Sequence, residues 1–181
     1  LPLVFVELKA SHKNLLTAYK DNLADYRKTI PQLFTFNQLI ILSNGVQSKV
    51  GSISSQWEHF AEWKKIECES EERRVSLEVV IRGVCEQNRL LDIIENYVLF
   101  VKAKHTVKII AKYHQYLGVN QALSGLTNVK QRASSASAGQ LGVFWHTQGS
   151  GKSFSMVFFC KKAFRKYTGN WTFVLVTDRT D

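Results

Sequence analysis

A glycine-rich loop between apolar segments is the feature that most constrains the fold of this chain. Residues 141–145, LGVFW, predict a strand, and residues 154–164, FSMVFFCKKAF, predict an apolar helix. Gly149 and Gly151 lie in the loop between them, and a further apolar run at residues 171–177, WTFVLVT, predicts a second strand. This order of strand, loop, helix and strand is typical of a doubly wound α/β domain with a parallel sheet.

The loop itself predicts a phosphate-binding site. In such loops the glycines let backbone N–H groups approach phosphates, and the following helix presents its positive N-terminus. Lys152 would carry charge to the β- and γ-phosphates of ATP, and the Ser153 hydroxyl would bind Mg²⁺. The alternative is a chance turn rich in glycine and serine. The predicted ATP-binding residues of the loop are His146, Thr147, Gln148, Gly149, Ser150, Gly151, Lys152 and Ser153.

His146 departs from the strict loop pattern, which has glycine at that position. A histidine is acceptable there if the residue lies at the exit of the strand, because the required dihedral angles are less extreme there than in the loop. We therefore expect a working nucleotide site despite the substitution.

Hydrophobic periodicity predicts a strand, a helix and two further strands in the N-terminal part. Residues 3–8 are rich in strand-forming side chains, and apolar residues recur every three or four positions from Asn14 to Ile30. Residues 36–43 predict a second strand, and Asn44-Gly45 predicts a turn before a third.

The middle of the chain is predicted to be mostly helical. Residues 57–74 predict a short amphipathic helix followed by a charged, exposed loop. Helical periodicity covers residues 76–101 with a break at Gly83, and another helix is expected at residues 106–117. Residues 130–139, KQRASSASAG, are small and polar, which predicts a mobile loop.

A carboxylate and an ammonium group are expected side by side at the end of the first strand. Side chains alternate along a strand, so Glu7 and Lys9 project to one face, whereas Val6 and Leu8 project to the other. Such a pair suits a metal-dependent nuclease, in which Glu7 holds Mg²⁺ and Lys9 orients the attacking water. The pair alone is weak evidence, since strand edges often carry solvated charges.

Two residues of the following helix are candidates for supporting that pair. Asn22 and Tyr26 are four residues apart, which places them on one face of a helix. They could brace the site or touch DNA, although core packing is the more ordinary role for Tyr26.

The net charge indicates the kind of partner, and the cysteine content indicates the redox compartment. The net charge of +9 favours an anionic partner, most simply nucleic acid, because lysine and arginine release counterions from phosphates. Solubility alone is the alternative explanation. The three cysteines are odd in number and widely spaced, which argues against a disulfide framework or a zinc site and fits a reducing cytoplasm. No apolar run approaches the roughly 18 residues of a membrane span.

Two groups of basic residues could form a DNA track, but solvated helix faces are the favoured interpretation. They are Lys102, Lys104, Lys108 and Lys112, and then Lys161, Lys162, Arg165 and Lys166.

Taken in order, these segments resemble the motor-endonuclease (R) subunit of type I restriction enzymes along essentially the whole chain. VFVELKAS is similar to the Glu-x-Lys half of that family's PD-(D/E)xK nuclease motif, and Asn22 to Tyr26 lies where the family has Gln-x-x-x-Tyr. KYHQYLGVNQAL resembles the segment that carries a glutamine near the adenine in superfamily 2 helicases, which makes Gln115 the candidate. WHTQGSGKS resembles the family's form of helicase motif I, and VLVTDRTD resembles the next motor motif.

The resemblance implies an α/β fold in three parts. Residues 1–56 would be the C-terminal part of a PD-(D/E)xK nuclease core, and residues 57–104 a mostly helical connecting region. Residues 105–181 would be the N-terminal part of the first RecA-like motor lobe, with a P-loop and a parallel sheet. The family's nuclease aspartate lies upstream of the Glu-x-Lys strand, and its Walker B carboxylates would follow the last residue. We therefore expect an internal fragment that is inactive alone.

The activity implied by the resemblance is ATP-driven translocation of double-stranded DNA coupled to Mg²⁺-dependent endonucleolytic cleavage. The resemblance implies ATP and Mg²⁺ as cofactors. It implies double-stranded DNA, a methylation subunit and a specificity subunit as partners. A prokaryotic cytoplasmic protein without membrane association is expected. One alternative is a superfamily 2 DNA helicase or remodeller without nuclease activity. Another is an inactive DNA-binding module that keeps a P-loop fold.

Overall fold

The computed structural model describes residues 1–72, 74–102, 104–131 and 141–176, and for residues 127–131 it describes the backbone alone. The chain divides into two units, Leu1–Leu117 and Gly118–Asp181, and each is described by itself. The mixed α/β class predicted from the sequence is confirmed. The three-part division at residues 56 and 104 is not tested by this partition and stays a prediction.

The first unit contains a four-stranded sheet in the order β1-β2-β3-β4. β1 (Val4–Leu8) pairs in parallel with β2 (Leu39–Ser43), and β2 pairs antiparallel with β3 (Ser48–Gly51). The short β4 (Ala61–Glu62) pairs antiparallel with β3. The predicted turn at Asn44-Gly45 is confirmed, since Gly45 has a φ of 84° and the Asn44 side chain accepts a hydrogen bond from the Gln47 amide.

A helical crossover joins the two parallel strands, as parallel pairing requires. It consists of α1 (Leu15–Thr17), a π segment (Ala18–Leu23) and α2 (Ala24–Thr29). Asn14 caps its start by accepting a hydrogen bond from the Leu16 amide. The predicted helix from Asn14 to Ile30 is confirmed in extent, although its middle has π rather than α geometry.

The core of the first unit lies between this crossover and the sheet. Leu15, Ala18 and Leu23 face the sheet from the crossover, and Ile40 and Leu42 face the crossover from β2. All five are at most 2% exposed, and aromatic rings close the cluster. β2 is buried along its whole length because it lies between two other strands and has cover on its faces.

The predicted amphipathic helix at the start of residues 57–74 is wrong. A short 3₁₀ turn (Trp57–His59) leads into β4. Phe60, just before β4, and Trp63, just after it, are both buried. Glycine makes this packing possible, because a Cβ atom at Gly51 would meet the Phe60 ring at 2.7 Å. Strand pairing and aromatic burial therefore outweigh the helical periodicity.

The charged loop after β4 is exposed, as predicted, but a single carboxylate organises it. The Glu71 side chain accepts hydrogen bonds from the backbone amides of Ile66 (3.0 Å), Glu67 and Cys68 (2.9 Å). Burial pushes the pKa of Glu71 upward, but these three N–H donors and the nearby Arg74 outweigh it, so its pKa lies below the ordinary value.

We expect Glu71→Gln to lower the free energy of unfolding by about 1 kcal/mol at neutral pH, because the neutral amide accepts more weakly from the three N–H groups. The folded-state pKa is lowered, so this stabilisation is present above the ordinary glutamate pKa and is lost as the pH falls through the folded value. Urea unfolding at neutral and acidic pH measures the difference. Glu72→Gln, at the exposed neighbouring carboxylate, is the control, and an equal effect of both variants would contradict the assignment.

The predicted helical stretch at residues 76–101 is confirmed for two helices and wrong at its end. α3 (Ser76–Val84) and α4 (Gln87–Asn96) are separated where Glu86 caps α4, and not at Gly83. Gly83 lies inside α3, and glycine is needed there because a Cβ atom would meet the Trp63 indole nitrogen at 2.6 Å. Residues 98–101, predicted as helix, belong to a strand.

A β-hairpin replaces the end of one predicted helix and the start of the next. β5 (Val98–Lys102) pairs antiparallel with β6 (Thr106–Ile110), and α5 (Tyr113–Gln131) follows. Both strands are rich in β-branched and aromatic side chains, which favour a pleated surface over a helix. The helix predicted at residues 106–117 is thus confirmed only from Tyr113.

The prediction that the basic residues lie on solvated helix faces is wrong in two respects. Lys102 lies on β5 and Lys112 precedes α5, so the first group does not lie on a helix. Lys108 and Lys162 are buried. Lys108 lies on β6, and its Nζ donates to the Asn37 carbonyl and to Gln38 Oε1, both at 2.8 Å. Burial lowers the pKa of Lys108. In the second unit Lys162 is 9% exposed and donates to Asn120 Oδ1 at 2.7 Å.

The second unit has no strand in its described residues. α6 (Lys152–Lys166) packs beside the later part of α5, where the Tyr167 hydroxyl donates to the Leu123 carbonyl at 2.9 Å. The strands predicted at residues 141–145 and 171–177 are therefore wrong for the part of each that is described. An extended segment becomes a strand only by pairing, and no described segment pairs with either one.

Two further predictions concern the whole chain or its undescribed parts. Of the loop predicted at residues 130–139, the first two positions belong to α5, and residues 132–139 lie outside the described residues. No helix among the described residues is long and apolar enough to cross a membrane.

Candidate functional site

The first candidate site lies on the face of β1 that is turned toward the crossover. Glu7 and Lys9 project to this face together with Phe5, and the Lys9 Nζ lies 3.7 Å from Glu7 Oε1. Both side chains are largely shielded, with 13% of Glu7 and 21% of Lys9 exposed. The apolar Val6 and Leu8 occupy the more exposed opposite face, so the charged pair is the enclosed one.

Asn22 and Tyr26 approach β1 from the crossover, as their spacing predicts. Asn22 lies in the π segment, and its Oδ1 accepts a hydrogen bond of 2.5 Å from the Lys9 Nζ. The Tyr26 ring packs edge-on against Phe5, with 5.7 Å between ring centroids. Asn22 thus touches the charged pair directly, whereas Tyr26 packs beside it.

These contacts hold the Lys9 ammonium between an amide oxygen and a carboxylate. Two acceptors from different elements restrict the lysine side chain to the space in front of β1. A fixed cation beside a carboxylate can bind one non-bridging oxygen of a phosphodiester and orient a water molecule. No group of three or more metal-ligating side chains occurs among the described residues, so Glu7 could supply only part of a metal's ligand set.

The second candidate site is the glycine loop before α6. Gly149 and Gly151 have φ values of 75° and 86°, which only glycine adopts readily, and Gly151 caps α6. The Lys152 Nζ donates to the carbonyls of His146 (2.8 Å) and Thr147 (3.1 Å), so the lysine side chain folds back over the loop. Residues 147–149 are exposed, as are Lys152 and Ser153, so the N-terminus of α6 is open to an anion.

His146 lies before the left-handed turns of the loop. No described residue other than glycine has a positive φ, so the backbone at His146 accommodates a side chain. Its ring packs edge-on against Phe144, with centroids 4.5 Å apart. Phe144 in turn lies against Gly118, where a Cβ atom would meet the ring at 2.4 Å. His146 therefore anchors the start of the loop to α5 through an aromatic contact that glycine could not make.

Gln115 lies in the first unit, near the start of α5. It is 4% exposed, and its Oε1 accepts a hydrogen bond of 2.8 Å from the Lys112 amide. The glycine loop belongs to the second unit. The proposed contact of Gln115 with adenine therefore stays a prediction.

Sequence reasoning did not single out Lys49 or Trp57. The Lys49 Nζ lies 4.4 Å from the centre of the Trp57 ring, on the same sheet face as Glu7. The alternation of side chains along β3 could have indicated which residues share a face with Lys49. It could not show that this face also carries Glu7, because that depends on the pairing of β1 and β3 with β2.

Two family models match the chain, in the order that the motifs predict. One, described as the type I restriction enzyme R protein N terminus, matches residues 1–59. The other, described as SWI2/SNF2 ATPase, matches residues 114–181. The first range contains Glu7 and Lys9, and the second contains Gln115 and the glycine loop.

Curated proteins align with the chain over its whole length. The type I restriction enzyme HindI endonuclease subunit of Haemophilus influenzae is 37% identical over 191 residues, which cover 100% of this chain and 18% of that protein. The putative type I restriction enzyme MjaIXP endonuclease subunit of Methanocaldococcus jannaschii is 27% identical over 203 residues, which cover 100% of this chain and 19% of that protein. The chain spans about a fifth of the length of these relatives.

Proposed function

We propose a function from the premise that this chain belongs to the family of type I restriction enzyme endonuclease (R) subunits. It contributes part of a nuclease centre and the nucleotide loop of a motor to an enzyme that moves along double-stranded DNA and cuts it. The observation that carries this proposal is the joint presence of the enclosed Glu7–Lys9 pair and the open glycine loop. Each lies in the range that the corresponding family model matches.

In the nuclease centre, Glu7 holds a divalent metal and Lys9 binds the scissile phosphate. Glu7 fits as one ligand of Mg²⁺, because its carboxylate supplies the hard oxygen that this cation prefers and remains partly accessible. Bound Mg²⁺ would neutralise charge on the phosphodiester and activate a water molecule for attack. Lys9, held by Asn22, keeps its ammonium at the developing negative charge.

In the motor, the glycine loop binds the phosphates of ATP. The backbone N–H groups at the start of α6 and the Lys152 ammonium supply positive charge to those phosphates. Ser153 fits as a Mg²⁺ ligand, since its hydroxyl lies in the exposed first turn of α6. Gln115 is assigned to the adenine by resemblance.

The proposed partners follow from the family. Double-stranded DNA is the substrate, and methylation and specificity subunits supply site recognition and anchor the motor. The net charge of +9 supports a polyanionic partner. A prokaryotic cytoplasmic location stays a prediction.

The test is cleavage of circular DNA by the full-length protein assembled with its methylation and specificity subunits. We expect cleavage to need both ATP and Mg²⁺ and to occur away from the recognition sequence. Cleavage without ATP would contradict the coupling of motor and nuclease. ATPase activity without cleavage would favour a helicase or remodeller.

Asn22 offers a finer test of the nuclease centre. Asn22→Ala removes the acceptor that holds the Lys9 ammonium, so we expect DNA cleavage to fall by about 10- to 100-fold with little change in ATPase activity. Asn22→Gln keeps an amide oxygen, and the family pattern has glutamine here, so it should retain most cleavage. If Asn22→Ala cleaved at the wild-type rate, the positioning role would be refuted.

A further inference from the structure

An open pocket of about 370 Å³ in the first unit brings together lysines from three separate segments. Lys49 comes from β3, Lys64 follows β4, and Lys112 immediately precedes α5. None of the three has a carboxylate oxygen within 4 Å among the described residues. These segments are far apart in sequence, so the fold itself assembles the cluster.

The pocket carries excess positive charge. Glu62 is its single acidic lining residue, and its Oε1 is already engaged by the Gln47 side chain at 2.8 Å. Three lysines against one glutamate leave a net charge of +2, with His114 counted as neutral. Gathering like charges without counter-charges is unfavourable, and a bound anion would offset that cost.

Sheet register places this pocket on the same face as the candidate nuclease centre. Glu7 pairs with Leu42 on β2, and Leu42 pairs with Lys49 on β3, so all three side chains project to one face. Two strand spacings, about 10 Å, separate the backbones at Glu7 and Lys49. The Trp57 ring beneath the Lys49 ammonium restricts where that charge can lie.

We propose that this lysine pocket binds a phosphate group of the DNA backbone beside the cleavage centre. The inference rests on the proposed function, and it adds a site that positions the DNA backbone two strands away from Glu7. Ammonium groups bind phosphate oxygens without reading bases, so the pocket fixes the position of DNA and not its sequence. ATP carries the same phosphate chemistry, and the experiment below separates the two sources.

The test measures duplex binding by the full-length protein across a series of salt concentrations. The double variant Lys64→Ala/Lys112→Ala should reduce the slope of log affinity against log salt by about 1, because the pocket holds one phosphate and the loss of one phosphate contact removes about one unit. Lys102→Ala, at an exposed lysine outside the pocket, is the matched control and should leave the slope unchanged. A parallel titration with Mg²⁺-ATP measures nucleotide affinity, which should not change.

Each outcome decides the matter. If the double variant bound duplex with an unchanged salt slope, the phosphate-binding role of the pocket would be overturned, and the proposed function would not be affected. If the double variant lost only affinity for ATP, the pocket would be assigned to the nucleotide. If the wild-type protein bound no duplex, both the pocket's role and the proposed function would be overturned. Binding is measured without cleavage, so an inactive nuclease does not affect the result. The single variant Lys64→Ala, at an exposed side chain, should still lower the slope, by at most about 1, if the double variant fails to fold.

Discussion

Replacing Lys152 with alanine is expected to abolish ATP hydrolysis and, with it, all cleavage of DNA by the full-length enzyme. The Lys152 ammonium folds over the glycine loop and is the positive side chain nearest the N-terminus of α6 in sequence. It would stabilise negative charge on the phosphates during hydrolysis, so we expect kcat to fall by at least about 100-fold. Phosphate release from Mg²⁺-ATP in the presence of DNA measures the loss.

Two variants sharpen this result. Lys166→Ala removes an exposed lysine from the opposite end of α6 and should leave ATPase activity near the wild-type value. Lys152→Arg keeps the charge but presents a planar group in place of a compact one, so it should remain strongly impaired. ATPase activity that survives Lys152→Ala would refute the motor assignment and favour the inactive DNA-binding module.

Replacing Glu7 or Lys9 with alanine is expected to abolish cleavage while leaving ATPase activity intact. Glu7→Ala removes the carboxylate proposed to hold the metal, and Lys9→Ala removes the ammonium that contacts both Glu7 and Asn22. Each loss should lower the cleavage rate by at least about 100-fold. Linearisation of circular DNA and phosphate release, measured in the same reaction, separate the two activities.

The control for these variants is a carboxylate outside the centre. Glu58→Ala changes an exposed glutamate in the 3₁₀ turn and should cleave at the wild-type rate. Normal cleavage by both Glu7→Ala and Lys9→Ala would sink the nuclease assignment and favour a helicase or remodeller. Loss of ATPase activity in either variant would point to misfolding of the first unit, which thermal unfolding would reveal.

Local patterns predicted the elements that form the first candidate site. The alternation in β1, the periodicity of the crossover and the Asn44-Gly45 turn all depend on neighbours in sequence, and all three are confirmed. The pairing of Glu7 with Lys9 on one face follows from strand geometry alone. Sequence did not show that this face is the enclosed one, because that depends on where the crossover packs.

The elements that sequence reasoning missed depend on contacts between distant segments. Residues 98–101 continue the helical periodicity of α4, yet pairing with β6 makes them a strand. Lys108 looked like part of a solvated basic stripe, but its hydrogen bonds go to Asn37 and Gln38, about 70 residues earlier in the chain. Around the glycine loop the apolar pattern was strand-like, and pairing partners decide whether such a segment becomes a strand.

The π segment gives the crossover one residue more than a regular α-helix would need. In a regular α-helix each residue turns the chain by about 100°, whereas a π turn holds about one residue more than an α turn. Deleting the exposed Lys20 or Asp21 would therefore let the segment close to α geometry with little rotation of the turns on either side. A deletion in α2 ahead of Tyr26 meets no such extra residue and would turn the Tyr26 ring away from Phe5. A library of single-residue deletions should thus be tolerated better at Lys20 and Asp21 than in α2.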